Sequence, residues 1–302
     1  MRDELDAILA DKGADALLIC SNSQKDANMF YVTKFLAPDP FVFLKKIDEE
    51  PIVVINEMEF ERAKKQSIIK DIRSYSDYNF KKIMKSAKDT NLSTIQFIAN
   101  IVTKELEKSN KICVPANFPL VVADVLRGQD LTLDPMVGVL EIARETKDGK
   151  EIEIIYEIQK INEKITSEAI NLIANSDIGS NKTLYSNGKP LTVGILKSFF
   201  GQKLLENGCI PEEDIIVACG NKSSDPHYLG EPEDKLKADK PIILDIYPQS
   251  LQKRYWTDMT RTIVKGNASN KIKHMFETVF EAKNSSLDAI KSGVLGSKSQ
   301  YE

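Results

Sequence analysis

The sequence predicts an α/β domain followed by an α+β domain. Short apolar strands alternate with helical segments from Ala16 to Leu133, the pattern of an α/β layer. A polar stretch at Glu141–Gly149 interrupts that alternation, and from Lys150 a single long amphipathic helix takes over. With 302 residues the chain can fill two cores, and the change of pattern divides it at 1–145 and 146–302.

Leu5, Ile8 and Leu9 mark an amphipathic first helix stopped by Gly13, and Ala16–Cys20 follows as a buried strand. Met29–Thr33, Phe41–Leu44 and Pro51–Ile55 read as further strands. Glu57–Gln66 is expected to be a helix, Ile72–Tyr75 a strand and Leu92–Lys108 a longer helix. Lys111–Val114 and Leu131–Leu133 are strand-like, on either side of a helix that begins near Pro119. No acid, His or Cys grouping in this half has a chemical spacing, so it reads as a scaffold.

In the second half, Ile154, Ile155, Ile158, Ile161, Ile165 and Ile170 form a helical stripe opposite charged residues. Asn181–Pro190 reads as a polar loop, and Leu191–Glu206 as a helix closed by Gly208. Ile215–Cys219 is a strand entering the loop GNKSSDPHYLG, which carries His227. A lone loop histidine is ordinarily a solvated bystander, although its titration range suits proton transfer. The other histidine, His274, lies on the predicted helix IKHMFETVFEAKNSSLDAI, opposite Ile272, Phe276 and Val279, and reads as part of a solvated face.

The segment PIILDIYPQSLQKRYWTDMTRTIV places two acids inside apolar or β-prone runs. Ile242–Ile246 and Tyr255–Val264 are expected to pair as antiparallel strands about a turn at Pro248-Gln249-Ser250. A hairpin symmetric about the midpoint of the acids sets Asp245 directly across from Asp258, with Cβ atoms about 4.5–5.5 Å apart. In a low-dielectric setting two carboxylates that close require a proton or a cation between them, which a divalent metal supplies; the alternative is a pair of solvent-facing acids on an edge hairpin.

A formal charge of −4 without a dense Lys/Arg block argues against nucleic acid as a principal partner. The start, MRDELDAILADKG, has no uninterrupted apolar core and does not read as a secretory signal, and no run is long enough to span a bilayer. Cys20, Cys113, Cys209 and Cys219 are scattered rather than in CxxC pairs. Reduced thiols in a cytoplasmic protein are therefore expected.

LDIYP followed by YWTDMTRT resembles the signature of the pita-bread metallopeptidases: Xaa-Pro aminopeptidases, prolidases and methionine aminopeptidases. Tyr247-Pro248, where many members have Gly, brings it nearer the Xaa-Pro branch. The first half resembles, more diffusely, the creatinase-type domain that precedes the catalytic one. The resemblance implies a creatinase-like α/β domain and a pita-bread α+β domain that hydrolyses peptide bonds with a metal-activated water. It also implies two divalent ions (manganese, cobalt or zinc) held in part by Asp245 and Asp258, with His227 contacting substrate and moving protons. Peptides with proline at the second position as substrates and a homodimer are further implications. In the family a histidine and two glutamates beyond the second Asp complete the ligand set. After Asp258 this sequence has no HxxGH-like segment and no Glu-Pro-Gly, and Ile290–Glu302 resembles the middle of the catalytic domain. The pita-bread domain is thus expected to be incomplete, and the 302-residue chain inactive alone. A pseudoenzyme that binds peptide or protein, or a creatinase-like C–N hydrolase, is the alternative.

Overall fold

The computed structural model describes residues 2–85, 89–106, 111–211 and 213–290. The chain divides into two compact units, Met1–Lys147 and Asp148–Glu302. In the first, β1 (Ala16–Ser21), β2 (Phe41–Lys46), β3 (Ile52–Ile55), β4 (Asp71–Ser74), β5 (Lys111–Pro115) and β6 (Thr132–Met136) form one mixed sheet in the order β4-β3-β2-β1-β5-β6. β1–β2 and β2–β3 pair antiparallel, and the remaining neighbours pair parallel.

The inner strands β1, β2, β3 and β5 are buried on both faces, which is why they read as apolar runs, whereas the edge strands β4 and β6 mix buried with more open positions. Leu17 and Ile19 of β1 pack with Leu5 and Leu9 of α1 (Arg2–Asp11), Met29 and Val32 of α2 (Ala27–Thr33) and Ala63 of α3 (Glu57–Gln66). The alternate residues Ala16, Leu18 and Cys20 meet the opposite layer. That layer holds α4 (Phe80–Lys85), α5 (Thr90–Glu105) and α6 (Leu120–Arg127), which contribute Phe80, Phe97, Ile101, Val122 and Leu126. A short helix, α7 (Val139–Glu145), follows β6.

Met29–Thr33, expected as a strand, is the helix α2. Asp26 caps it, its carboxylate accepting from the backbone N–H groups of Asn28 and Met29 at 2.8 and 3.2 Å, and this local chemistry overrides the β propensity of Tyr31 and Val32. The last two positions predicted for the Leu92 helix, Glu107 and Lys108, lie outside the described residues.

The second unit is built on α8 (Gly149–Ala174), a 26-residue helix started by a capping box. Asp148 accepts from the Glu151 N–H at 2.8 Å, and Glu151 accepts from the Asp148 N–H at 3.0 Å. Ile158, Ile165, Ala169 and Ile173 form its buried stripe, so the apolar face lies slightly off the run of isoleucines that marks it in sequence. The polar stretch after it is not a plain loop. β7 (Asp177–Ile178), β8 (Leu184–Ser186) and β9 (Lys189–Pro190) make a small sheet, and the β8–β9 hairpin turns at Asn187-Gly188, both with positive φ.

α9 (Val193–Glu206) packs Leu196, Phe200 and Leu204 into the same core as α8. β10 (Cys209–Pro211) then leads to β11 (Ile216–Cys219), β12 (Ile242–Ile246), β13 (Pro248–Ser250) and β14 (Met259–Ile263), followed by α10 (Asn270–Ala289). β11, β12 and β14 form a three-stranded sheet with β12 in the centre, and β13 pairs with β10. His274 lies on α10, none of whose residues is buried; its apolar stripe is open too, with Phe276 and Phe280 stacked at 6.2 Å. Of the segment Ile290–Glu302, residues 291–302 lie outside the described residues. Among the described residues no helix is long and apolar enough to cross a membrane.

A charge inside the first core gives a test of its energetics. The Lys45 side chain is fully buried, pairs with Asp6 and donates to the Lys46 carbonyl at 2.8 Å. Removing the acid strands a buried ammonium, whereas removing the amine does not. Asp6→Ala is expected to destabilise this unit by about 2–4 kcal/mol and Lys45→Met by under about 1.5 kcal/mol, read from denaturant midpoints. Equal losses in the two variants would show that the pair, not the stranded charge, sets the cost.

Candidate metal centre

β12 carries Ile242, Leu244 and Ile246 into the core shared with α8 and α9, which leaves Ile243 and Asp245 on the other face. β14 pairs with β12 in the register Asp245↔Thr260 and Ile246↔Met259. The Gln249–Trp256 bridge keeps the same register, so Tyr247 stands opposite Asp258. Asp245 and Asp258 are therefore on one face but diagonal, not directly opposed. Diagonal neighbours lie about 7–8 Å apart between backbones, within reach of two carboxylates that share one ion.

This corrects the expected hairpin. Pro248–Ser250 does not turn; it extends as β13, with Pro211↔Pro248 and Cys209↔Ser250 as partners on β10. The reversal comes later, at Leu251–Lys253, and is closed by Arg254 in the left-handed region at φ 59°. The centre of the hairpin thus moves by one residue and the pairing by two. A shift of two preserves the face of every side chain.

Two contacts from α8 hold the hairpin. Asn162, fully buried, donates to the Ile246 carbonyl at 2.9 Å at the end of β12. The Tyr255 hydroxyl donates to Glu151, the residue that also closes the capping box of α8. On the outer face, the Thr260 hydroxyl donates to the Asp245 carboxylate and fixes its orientation. Loss of hydration in its surroundings pushes the Asp258 carboxyl up from its ordinary value, and the neighbouring Asp245 charge adds to the effect, against a Met259 backbone N–H that opposes it. Partial burial, then Glu213, Asp245, Asp214 and Asp258, raise the Tyr247 hydroxyl, which donates to the Asp214 carbonyl at 2.7 Å.

His227 is exposed on its loop and lines a cleft of about 430 Å³ with Lys197, Asp214 and Glu231 among others. Its backbone N–H donates to Asp225 at 2.9 Å. Neither Asp245 nor Asp258 lines this cleft, so the structure brings the acids together and leaves His227 in a neighbouring hollow that Asp214 borders. Among the described residues no three His, Cys, Asp or Glu side chains are grouped as metal ligands. Two carboxylates suit a hard or borderline divalent ion but fill only part of a shell of about four to six donors.

Residues 180–300 match the metallopeptidase family M24, and residues 1–145 match the creatinase/prolidase N-terminal domain. The chain thus resembles the M24 metallopeptidases over its second part and their creatinase-type N-terminal domain over its first. The Xaa-Pro dipeptidase of Pyrococcus horikoshii is 26% identical over 281 residues, which are 93% of this chain and 68% of that protein. The Xaa-Pro dipeptidase of Pyrococcus furiosus is 26% identical over 82% of this chain and 60% of its own length. The fold is shared with the prolidase structure from P. horikoshii (TM-score 0.73, 20% identity) and with an Xaa-Pro dipeptidase structure from Bacillus anthracis (TM-score 0.75, 20% identity). Each comparison covers 99% of this chain and 74% of the other, so the M24 part present here is an incomplete pita-bread domain behind a creatinase-like one.

Sequence reasoning missed Thr260 and Tyr247 as neighbours of the acids. Period-two counting from Asp258 leads to Thr260 and from Asp245 to Tyr247, so the signal was in the alternation once the register is known.

The raised Asp258 pKa means that the folded chain binds this proton more tightly than the unfolded chain does. Its ionised form therefore costs stability above the folded pKa, and the cost vanishes below the ordinary carboxylate value of 3.8. With chelator present, Asp258→Asn is expected to raise the melting temperature at pH 7 by about 1–2 °C, the exposure of the site keeping the gain small. The gain should disappear as pH falls below about 3.8. A variant that melts lower than wild type at pH 7, or a gain independent of pH, would contradict this.

Proposed function

We propose that the complete protein is a metal-dependent peptidase acting on Xaa-Pro dipeptides or on longer peptides with proline second. The observation that carries this is the same-face placement of Asp245 and Asp258, held by α8 and electrostatically coupled. The names of the Pyrococcus relatives supply the substrate class. Asp245 and Asp258 would hold divalent metal, with manganese, cobalt or zinc the ions of choice and two ions per site. Such an ion, when bound, supplies Lewis-acid polarisation of the scissile carbonyl and lowers the pKa of water.

The chain's own residues do the rest. Thr260 keeps one oxygen of Asp245 engaged and leaves the other to a metal. The Met259 N–H favours the ionised form of Asp258 against the charge of Asp245. His227, exposed and lining its cleft, would contact substrate and pass a proton to the leaving amine. A cytoplasmic homodimer is the setting we infer from the family resemblance.

Two carboxylates leave most of a metal's shell to water, so the 302-residue chain alone should bind loosely and turn over negligibly. The test compares this chain with one carried on through its gene beyond codon 302. Both are assayed on an Xaa-Pro dipeptide and a longer Xaa-Pro peptide, with metals restored after chelation. The longer chain is expected to hydrolyse them, and Asp245→Asn or Asp258→Asn to lower kcat/KM by about a thousandfold. Full turnover by the short chain would overturn the account of the ligands. No turnover by the longer chain with any metal would favour a peptide- or protein-binding role.

A further inference from the structure

We propose that Lys222, Tyr228 and Asp234 are positioning residues that hold His227 at its cleft, an inference that rests on His227 serving the reaction. The Lys222 ammonium donates to the Tyr228 hydroxyl at 2.9 Å and to one Asp234 oxygen at 2.6 Å, and Tyr228 donates to the other Asp234 oxygen. The ring of three bonds is closed. It links the short helical turn Gly220–Ser224, the residue that follows His227, and the strand-like segment beyond Pro232.

Each part of the ring is anchored elsewhere. The Asp234 carbonyl accepts from the Val193 N–H at 2.9 Å, at the start of α9, and the Gly220 N–H donates to the Pro241 carbonyl at 2.9 Å. The Glu231 N–H lies 3.3 Å from the Tyr228 oxygen and 3.4 Å from Asp234. Two residues past Tyr228, Gly230 sits at φ 93°, where a Cβ would be 2.2 Å from the Val217 carbonyl oxygen. The loop is therefore pressed onto β11 at Gly230, and the Val217 N–H donates to the Leu229 carbonyl at 3.2 Å.

On the other side of His227, Pro226 fixes its own φ, and the Asp225 side chain and carbonyl accept from the N–H groups of His227 and Tyr228 at 2.9 and 3.2 Å. The histidine thus lies between two pinned points. Ion pairs in such exposed places contribute little to global stability. What three long side chains in one closed ring do fix is direction. With Tyr228 immobilised, the backbone that aims the His227 side chain has little freedom left.

The sequence has only two histidines, so imidazole resonances resolve the matter in the 302-residue chain, with His274→Gln providing the assignment. Tyr228→Phe and Asp234→Asn are each expected to shift and broaden the His227 signals and to speed amide exchange at 227–229 about tenfold. The His274 signals and, within about 2 °C, the melting temperature should stay in place. Lys222→Met should act likewise, and Lys222→Arg should restore the wild-type spectrum. Wild-type His227 signals and exchange in both Tyr228→Phe and Asp234→Asn would overturn the proposal, as would a large fall in melting temperature accompanied by movement of His274. In a catalytically active longer chain, Tyr228→Phe should lower kcat about tenfold with KM within about twofold. Unchanged kcat there, where His227→Ala does lower it, also overturns the proposal. Full activity of His227→Ala instead strikes only the role given to the histidine.

Discussion

The second unit depends on one constraint, the register in which β14 meets β12. That register is fixed from the core side. Ile242, Leu244 and Ile246 must face α8 and α9, and Asn162 and Glu151 of α8 engage the two arms of the hairpin at Ile246 and Tyr255. Once the apolar face is set, period-two geometry sends Asp245, Thr260 and Asp258 to the opposite face without further choice. The acids are brought together by the burial of their neighbours.

This arrangement opposes stability. A carboxylate that loses hydration beside a second carboxylate is disfavoured in its ionised form, and the surrounding core must absorb the penalty. The chain compensates locally through the Thr260 hydroxyl and the Met259 N–H. The first unit shows the contrary case. There a fully buried charge, Lys45, is matched by Asp6 and a carbonyl, on a strand whose other buried residues, Phe41 to Leu44, are apolar.

Much of the fold was legible because its signals are local. The strands around Ile19, Phe43 and Val53, the helix after Asp148 and the helix closed by Gly208 all follow from periodicity and caps. Met29–Thr33 was misread because an Asp26 cap outweighs side-chain propensity, and Pro248–Ser250 because a partner strand distant in sequence, Cys209–Pro211, recruits it. The face shared by the two acids was legible, since an error of two in register leaves faces unchanged. Their diagonal offset was not, because it depends on Arg254 adopting a left-handed conformation four residues before Asp258. The ring around His227 was likewise invisible: Lys222, Tyr228 and Asp234 have no motif spacing, and only the fold of the loop joins them.

The central claim is that the hairpin register places two carboxylates close enough to sense each other's charge. The most direct measurement is the carboxyl carbon titration of Asp258 in the metal-free chain and in Asp245→Asn. Asp258 should titrate above the ordinary 3.8 in wild type and move back toward it in the variant, while remaining above it because burial is the larger cause. An Asp258 that titrates at its ordinary value in the wild-type chain, or one whose titration does not respond to the loss of the Asp245 charge, would contradict the account.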